Sequence, residues 1–253
     1  ISASLVGSEM CIRDRLSDEL LISKEKVELS ASVCKVDLVS ELVGEFPELQ
    51  GIMGGYFAEE QGFEKEISIA ISEQYLPIGL NSKVPKKPYS IALSLADKID
   101  TLVGFFGINQ KPTSSKDPFA LRRLALGIIK IIIENKKDFK IRDLISYSSS
   151  LYIDQGFKFG NEFLQKELSD FLMDRLKFYM KEEKIRHDII QASTNYNSLD
   201  KLVIIFGKAK SLNKIINKQN GIDLISSYKR ASNILDSEPV SYTHLTLPTN
   251  RCV

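Results

Sequence analysis

Apolar residues return every three or four positions along most of this chain, and that spacing is incompatible with a half-buried sheet. Ile91, Leu95, Ile99, Leu102 and Phe106 recur in this way, as do Phe163, Leu164, Leu168, Phe171, Leu172, Leu176 and Tyr179. This is the period of helices that lay one face on a core. Residues 119–134 read as a third helix, expected to be buried on much of its surface. Asp117 is placed to accept backbone N–H bonds as its N-cap, with Pro118 at the first helical position. No apolar/polar alternation reaches strand length, and the strand-like residues 203–206 do not change that. The class is therefore all-α. Punctuation falls at residues 77–88, read as a loop within a domain, and at the serine-rich residues 146–150, read as a domain boundary.

The two ends read as one inverted DNA element. MCIRD at residues 10–14 and VSYTH at residues 240–244 can be translated from opposite strands of the same DNA. Residues 1–15 and 239–253 are therefore assigned to translated sequencing adapter, expected to pack against nothing, and set apart from the fold. The 34 basic and 33 acidic residues fall to 31 each once Arg13, Arg15, Arg251, Glu9 and Asp14 are set aside. Cys34 is then the one thiol and His187 the one histidine. A single thiol permits no internal disulfide and suits a reducing cytoplasm. No apolar run is long enough to span a bilayer.

The neutral total hides a sorted distribution. Residues 37–73 carry nine acidic side chains against Lys65 alone, whereas residues 109–142 carry nine basic against three acidic. Such sorting makes a local field without a global one. Lys111 and Lys116 fall on the loop after the central helix, and Arg122 and Arg123 in the first turns of the next. Cations beside the positive end of a helix suit a phosphate, although Asp117 can occupy the same amides. For each arginine the alternative, of equal weight, is an internal bridge to Asp97, Asp100 or Asp117. The lysines are read as solvated unless a ligand is present.

LADKID at residues 95–100 resembles the segment that supplies the last aspartate of HD-family phosphohydrolases. Those helical sites need imidazoles and carboxylates together to hold a divalent ion. No histidine precedes Asp97, and the region where a His-Asp pair is expected reads VGEFPELQG. Asp97 is an orphan of that site, read as a polar contact within the helical layer, a role Asp100 can share. His187 and Asp188 spell the pair on the wrong side of Asp97, in a segment that reads as the start of a helix with a capping or structural role. Gly51, Gly54 and Gly55 do not fit a dinucleotide-binding fingerprint and suit a tight turn or close helix packing. No Walker loop, zinc-ligand spacing or nucleophile-His set is present, so no catalytic residue is assigned.

VDLVSELVGEFPELQGIMGGYFA, LADKIDTLVGFFGINQKPTSSKDPFALRR and YKRASNIL closely resemble the beta subunit of the bacterial two-subunit glycyl-tRNA synthetase. The resemblance runs through nearly all of residues 16–238. It implies a degenerate HD-like helical domain without metal ligands over residues 16–148. Residues 149–238 would form a helical body leading into an incomplete anticodon-binding-type domain. It implies a cytoplasmic, non-catalytic subunit of an aminoacyl-tRNA synthetase that binds glycine tRNA and assembles with an alpha subunit as an alpha2-beta2 tetramer. ATP and Mg would serve the alpha-subunit active site, with no cofactor and no membrane contact in this fragment, which alone is expected to be inactive. Lys111, Lys116, Arg122 and Arg123 become candidates for tRNA binding. An architectural module that touches only protein is the alternative; a metal-dependent HD-type phosphohydrolase is disfavoured by the missing histidines.

Overall fold

The computed structural model describes residues 12–13, 15–113, 115–158, 160–194 and 199–237. Every regular element among them is helical, which makes the fold all-α. In chain order the α-helices are α1 (Lys24–Val33), α2 (Glu41–Glu45), α3 (Ile52–Glu60), α4 (Lys65–Glu73), α5 (Pro88–Gly107), α6 (Leu121–Asn135), α7 (Ile141–Asp154), α8 (Asn161–Glu182), α9 (His187–Thr194), α10 (Leu202–Ile216) and α11 (Gln219–Ser237). Short 3-10 turns lie at Val36–Val39, Pro47–Leu49 and Leu199–Lys201.

The chain divides into two compact units after Ala209. In the first, α5 is the central post, packed by α1, α4, α6, α7 and α8. It is buried on nearly every side, from Ser90 through Phe106, because its apolar residues form a broad band rather than one stripe. Pro88 sets its first turn, and the left-handed Asn109 (φ 59°) closes it, with the amide of Gln110 donating to the carbonyl of Phe105 at 2.8 Å. As expected, α6 is also largely buried, all of Ala125 to Ile133 included. In the second unit, Gly221 lets the start of α11 close on the end of α10, since a Cβ there would lie 2.3 Å from the carbonyl oxygen of Ile215.

The glycines of GIMGGY perform the two tasks read from the sequence. Gly51 turns the chain at φ 81°, and Gly54 and Gly55 let α3 approach α4. A Cβ on Gly55 would come within 2.7 Å of Ser72 Cβ, and one on Gly54 within 2.9 Å of Ile71 Cγ2. The buried carboxylate of Asp37 accepts the amides of Gly51 (2.6 Å) and Gly54 (3.3 Å), capping α3 from outside the helix.

Three expectations need correction. The third helix begins at Leu121 rather than 119, because residues 117–120 form a turn that lets the Phe119 ring stack on Phe105 at 4.2 Å. Ala120 then takes a left-handed conformation, φ 55°. The serine-rich stretch is not a boundary: it lies inside α7, with Ser148 and Ser149 buried against the layer of α5. The leading residues also pack where they are described. Ile12 and Leu16, one helical turn apart, are fully buried. Arg13 Nη2 donates to Cys34 Sγ at 3.5 Å, and the Arg15 guanidinium lies 4.1 Å above the Tyr147 ring. The trailing residues 239–253 lie outside the described residues.

Candidate functional site

Both aspartates of LADKID are held within the helical layer. Lys35, after α1, puts its ammonium 3.0 Å from Asp97 Oδ1, where the carboxylate is 9% exposed. Asp100, one turn on, accepts the hydroxyls of Ser148 (3.2 Å) and Tyr152 (3.1 Å) from α7. Gly104 makes room for the latter, since a Cβ there would sit 2.9 Å from Tyr152 Oη. Burial, reinforced by the Asp97 charge, pushes the Tyr75 hydroxyl well above its ordinary pKa. Among the described residues no three His, Cys, Asp or Glu side chains gather as metal ligands, so the surroundings of Asp97 do not fit a metal centre.

Sequence reasoning missed Lys98. It is 1% exposed, and its ammonium donates to the carbonyls of Leu76 (2.9 Å) and Gln74 (3.3 Å) and to Ser94 Oγ (2.7 Å). Burial lowers its pKa to about 8, opposed by the neighbouring Asp97 charge. The signal available was its place on a helix apolar on nearly all sides, where a lysine has few routes to solvent.

The four candidate cations separate into two pairs. Lys111 Nζ meets both carboxylate oxygens of Glu167 on α8 (2.6 and 2.5 Å) and lies 5.2 Å from the Phe163 ring. It sits at the lip of a cavity of about 300 Å³ between the end of α5 and the start of α8. Arg122 donates through Nη2 to the Thr113 carbonyl and so folds back onto its own loop. Lys116 and Arg123 are exposed, and neither side chain has a hydrogen-bond or ion-pair partner among the described residues. The bridges to Asp97, Asp100 or Asp117, which stood level with the phosphate reading, are made by neither arginine; these carboxylates meet Lys35, the Ser148 and Tyr152 hydroxyls, and backbone amides. Asp117 accepts the amides of Leu121 (2.9 Å) and Arg122 (3.0 Å), so the anion at this helix end is the protein's own. An external phosphate here would rest on side chains, not on free amides.

His187 opens α9 as expected of a helix start, and Asp188 caps locally, accepting the amide of Ile189 and pairing with Arg186 at 2.7 Å. The Arg186 hydrogen bond holds the Asp188 carboxyl below its ordinary pKa. These two residues stand far along the chain from Asp97, and Asp188 is engaged in capping its own helix.

The family model described as "Glycyl-tRNA synthetase beta subunit" matches residues 8–195. The chain belongs to the glycyl-tRNA synthetase beta subunit family. The match opens at residue 8, within the stretch assigned to adapter and just ahead of the buried Ile12. Curated relatives called "Glycine--tRNA ligase beta subunit" agree. One from Rhodospirillum centenum is 41% identical over 215 residues, covering 85% of this chain and 29% of the relative. One from Rickettsia canadensis is 45% identical over 216 residues, covering 84% and 31%. One from Dinoroseobacter shibae is 38% identical over 243 residues, covering 85% and 34%. The chain thus spans about a third of the length of these relatives. In this beta-subunit segment, no helix among the described residues is long and apolar enough to cross a membrane.

Proposed function

We propose that this segment supplies tRNA binding and assembly to a cytoplasmic, two-subunit glycine-tRNA ligase, supporting ATP-dependent glycyl-tRNA formation at an alpha-subunit active site. ATP and Mg belong to that alpha subunit, in an alpha2-beta2 tetramer. The observation that carries the RNA half is the pair of unpartnered, exposed cations Lys116 and Arg123, set beside two cations that the fold consumes internally. A polyanion is bound by charges that are free to meet it, and each phosphate so neutralised releases counterions.

The test follows from that division. Replacing Lys116 or Arg123 by Ala should weaken glycine-tRNA binding by the full beta subunit and flatten its salt dependence by up to about one unit of log-log slope for each phosphate no longer neutralised. Replacing Lys111 by Ala should instead lower stability, with affinity falling only as folding does. Unchanged affinity and slope in stable Lys116 and Arg123 variants would remove the basic segment from the RNA-binding surface.

A second observation favours the assembly half. Val36, Val39, Leu42, Phe46, Ile52 and Tyr56 are all exposed, Val39 at 86% and Tyr56 at 60%, within mutually contacting short elements. They are interspersed with Glu41, Glu45 and Glu48, and residues 37–73 as a whole are acidic. An apolar surface with a negative rim repels RNA and suits a protein face that brings apolar and basic side chains. The alpha subunit is the occupant this reading assigns.

A further inference from the structure

A cavity of about 640 Å³ opens between the C-terminal half of α8 and α9, away from the loop at residues 111–123 in sequence and on different helices. Lys177, Phe178 and Lys181 line one wall; His187, Ile190, Gln191 and Thr194 line the other, and no carboxylate is among its lining residues. The spacing explains the convergence: Lys177 and Lys181 are four apart on α8, and His187 and Gln191 four apart on α9, so each pair shares a helix face. Lys181 and His187 are exposed and have no side-chain partner among the described residues. Lys177 meets only Asp174, at 3.3 Å in an ion pair 47% and 62% exposed, an interaction solvent weakens and a phosphate can displace. Phe178 is 40% exposed, and the Arg175 guanidinium lies 5.7 Å from its ring centroid, so part of the ring remains open to solvent with a third cation beside it.

Two cations, a partly exposed aromatic ring flanked by Arg175 and an imidazole and amide able to donate or accept are the parts of a cleft for single-stranded nucleic acid. In such clefts the backbone follows the positive wall and a base stacks on the ring. We infer that this groove is a second RNA-binding site, taking an unpaired stretch of tRNA with phosphates on Lys177 and Lys181 and a base on Phe178. His187 and Gln191 then meet ribose or base edges from the facing helix. The inference rests on the tRNA-binding reading above but names a different surface, so the two can fail separately.

The experiment titrates the 253-residue chain with transcribed glycine tRNA and with a single-stranded RNA of about ten nucleotides, a length within the site sizes of such clefts. Lys181→Glu is expected to lower affinity for both by about tenfold, the effect of turning attraction to a phosphate into repulsion. Phe178→Ala should lower affinity about fivefold or more as the stacked base loses its platform. Phe178→Leu, which keeps apolar bulk but not the π-face, should show the same drop while matching the parent's thermal melting, which separates stacking from folding. A tRNA carrying photoreactive uridines at unpaired positions should crosslink within residues 177–194. Parental affinity in Lys181→Glu and Phe178→Leu, or crosslinks confined to other segments, would overturn the groove. If Lys116→Ala and Arg123→Ala still weaken binding in that event, the broader reading stands without it; if they too bind as the parent does, both readings fall.

Discussion

Lys35 and Asp97 show how one side chain decides what an orphaned carboxylate can be. An ammonium 3.0 Å from Asp97 neutralises a group that is nearly out of water. Removing the cation leaves a buried charge unpaired, which costs about 3–5 kcal/mol in comparable cases. Lys35→Met should therefore destabilise the fold strongly. Asp97→Asn should cost less, because the 23%-exposed lysine can turn to solvent. Chemical denaturation of both variants checks the order, and a reversed order would mean that Asp97 draws its compensation elsewhere. The same geometry predicts that Mn²⁺ or Zn²⁺ leaves the melting temperature of the chain unchanged, whereas a one-to-one stabilisation would show a metal displacing Lys35. That Asp97 makes a polar contact within the helical layer was legible in the sequence, from its place on an otherwise apolar helix. Lys35 as its partner was not, because 62 residues separate them and only the packing of α1 on α5 brings them together. The pairing of Lys111 with Glu167 was hidden for the same reason, 56 residues apart.

At the scale of elements, α5 carries a lysine among apolar neighbours, and its protonation is coupled to folding. The folded-state pKa of Lys98 is lowered to about 8 from an ordinary 10.5 by burial. Between those values the unfolded chain holds the proton that the folded chain releases, so raising the pH across this window favours the fold. Below about pH 8 both states are protonated, and the cost of the buried charge is carried in full. The difference in stability between the parent and Lys98→Met should therefore shift in favour of the parent from about pH 8 to 10.5; taking the difference cancels the other lysines and tyrosines that titrate there. A flat difference would mean that the carbonyls of Gln74 and Leu76 hold the ammonium charged throughout. The helices themselves were legible because a period of about 3.6 residues is a local property. Their ends were less so: Asp117 does cap α6, but from a turn whose shape depends on Phe119 reaching Phe105, a contact outside the helix it starts. The serines of α7 misled in the same way, since a run of polar residues reads as a linker until Asp100 is seen to need one of their hydroxyls.

The charges are sorted along the chain, and the surfaces assigned to the two partners lie on different elements, which makes the last prediction. Residues 37–73 present exposed apolar side chains among carboxylates, while the cations assigned to RNA lie on the loop before α6, in the first turn of α6 and in the groove between α8 and α9. If the first surface is for the alpha subunit and the others for RNA, a change on one should leave the other intact. Val39 is the sharpest probe, because at 86% exposure it contributes little to the fold of the free chain. Surface changes of that kind fall within about 0.5 kcal/mol of neutral. Val39→Asp in the full beta subunit should leave its melting temperature and its tRNA affinity at the parental level. It should weaken tetramer formation with the alpha subunit about tenfold or more, since a charge buried unpaired in an interface is costly. Sedimentation of the mixed subunits reads the assembly, and filter binding reads the RNA. Assembly at parental strength in Val39→Asp and in a companion Tyr56→Asp would release this surface from the alpha subunit. Loss of RNA binding together with assembly would show that the two faces are not independent, and that tRNA is gripped only once the tetramer has formed.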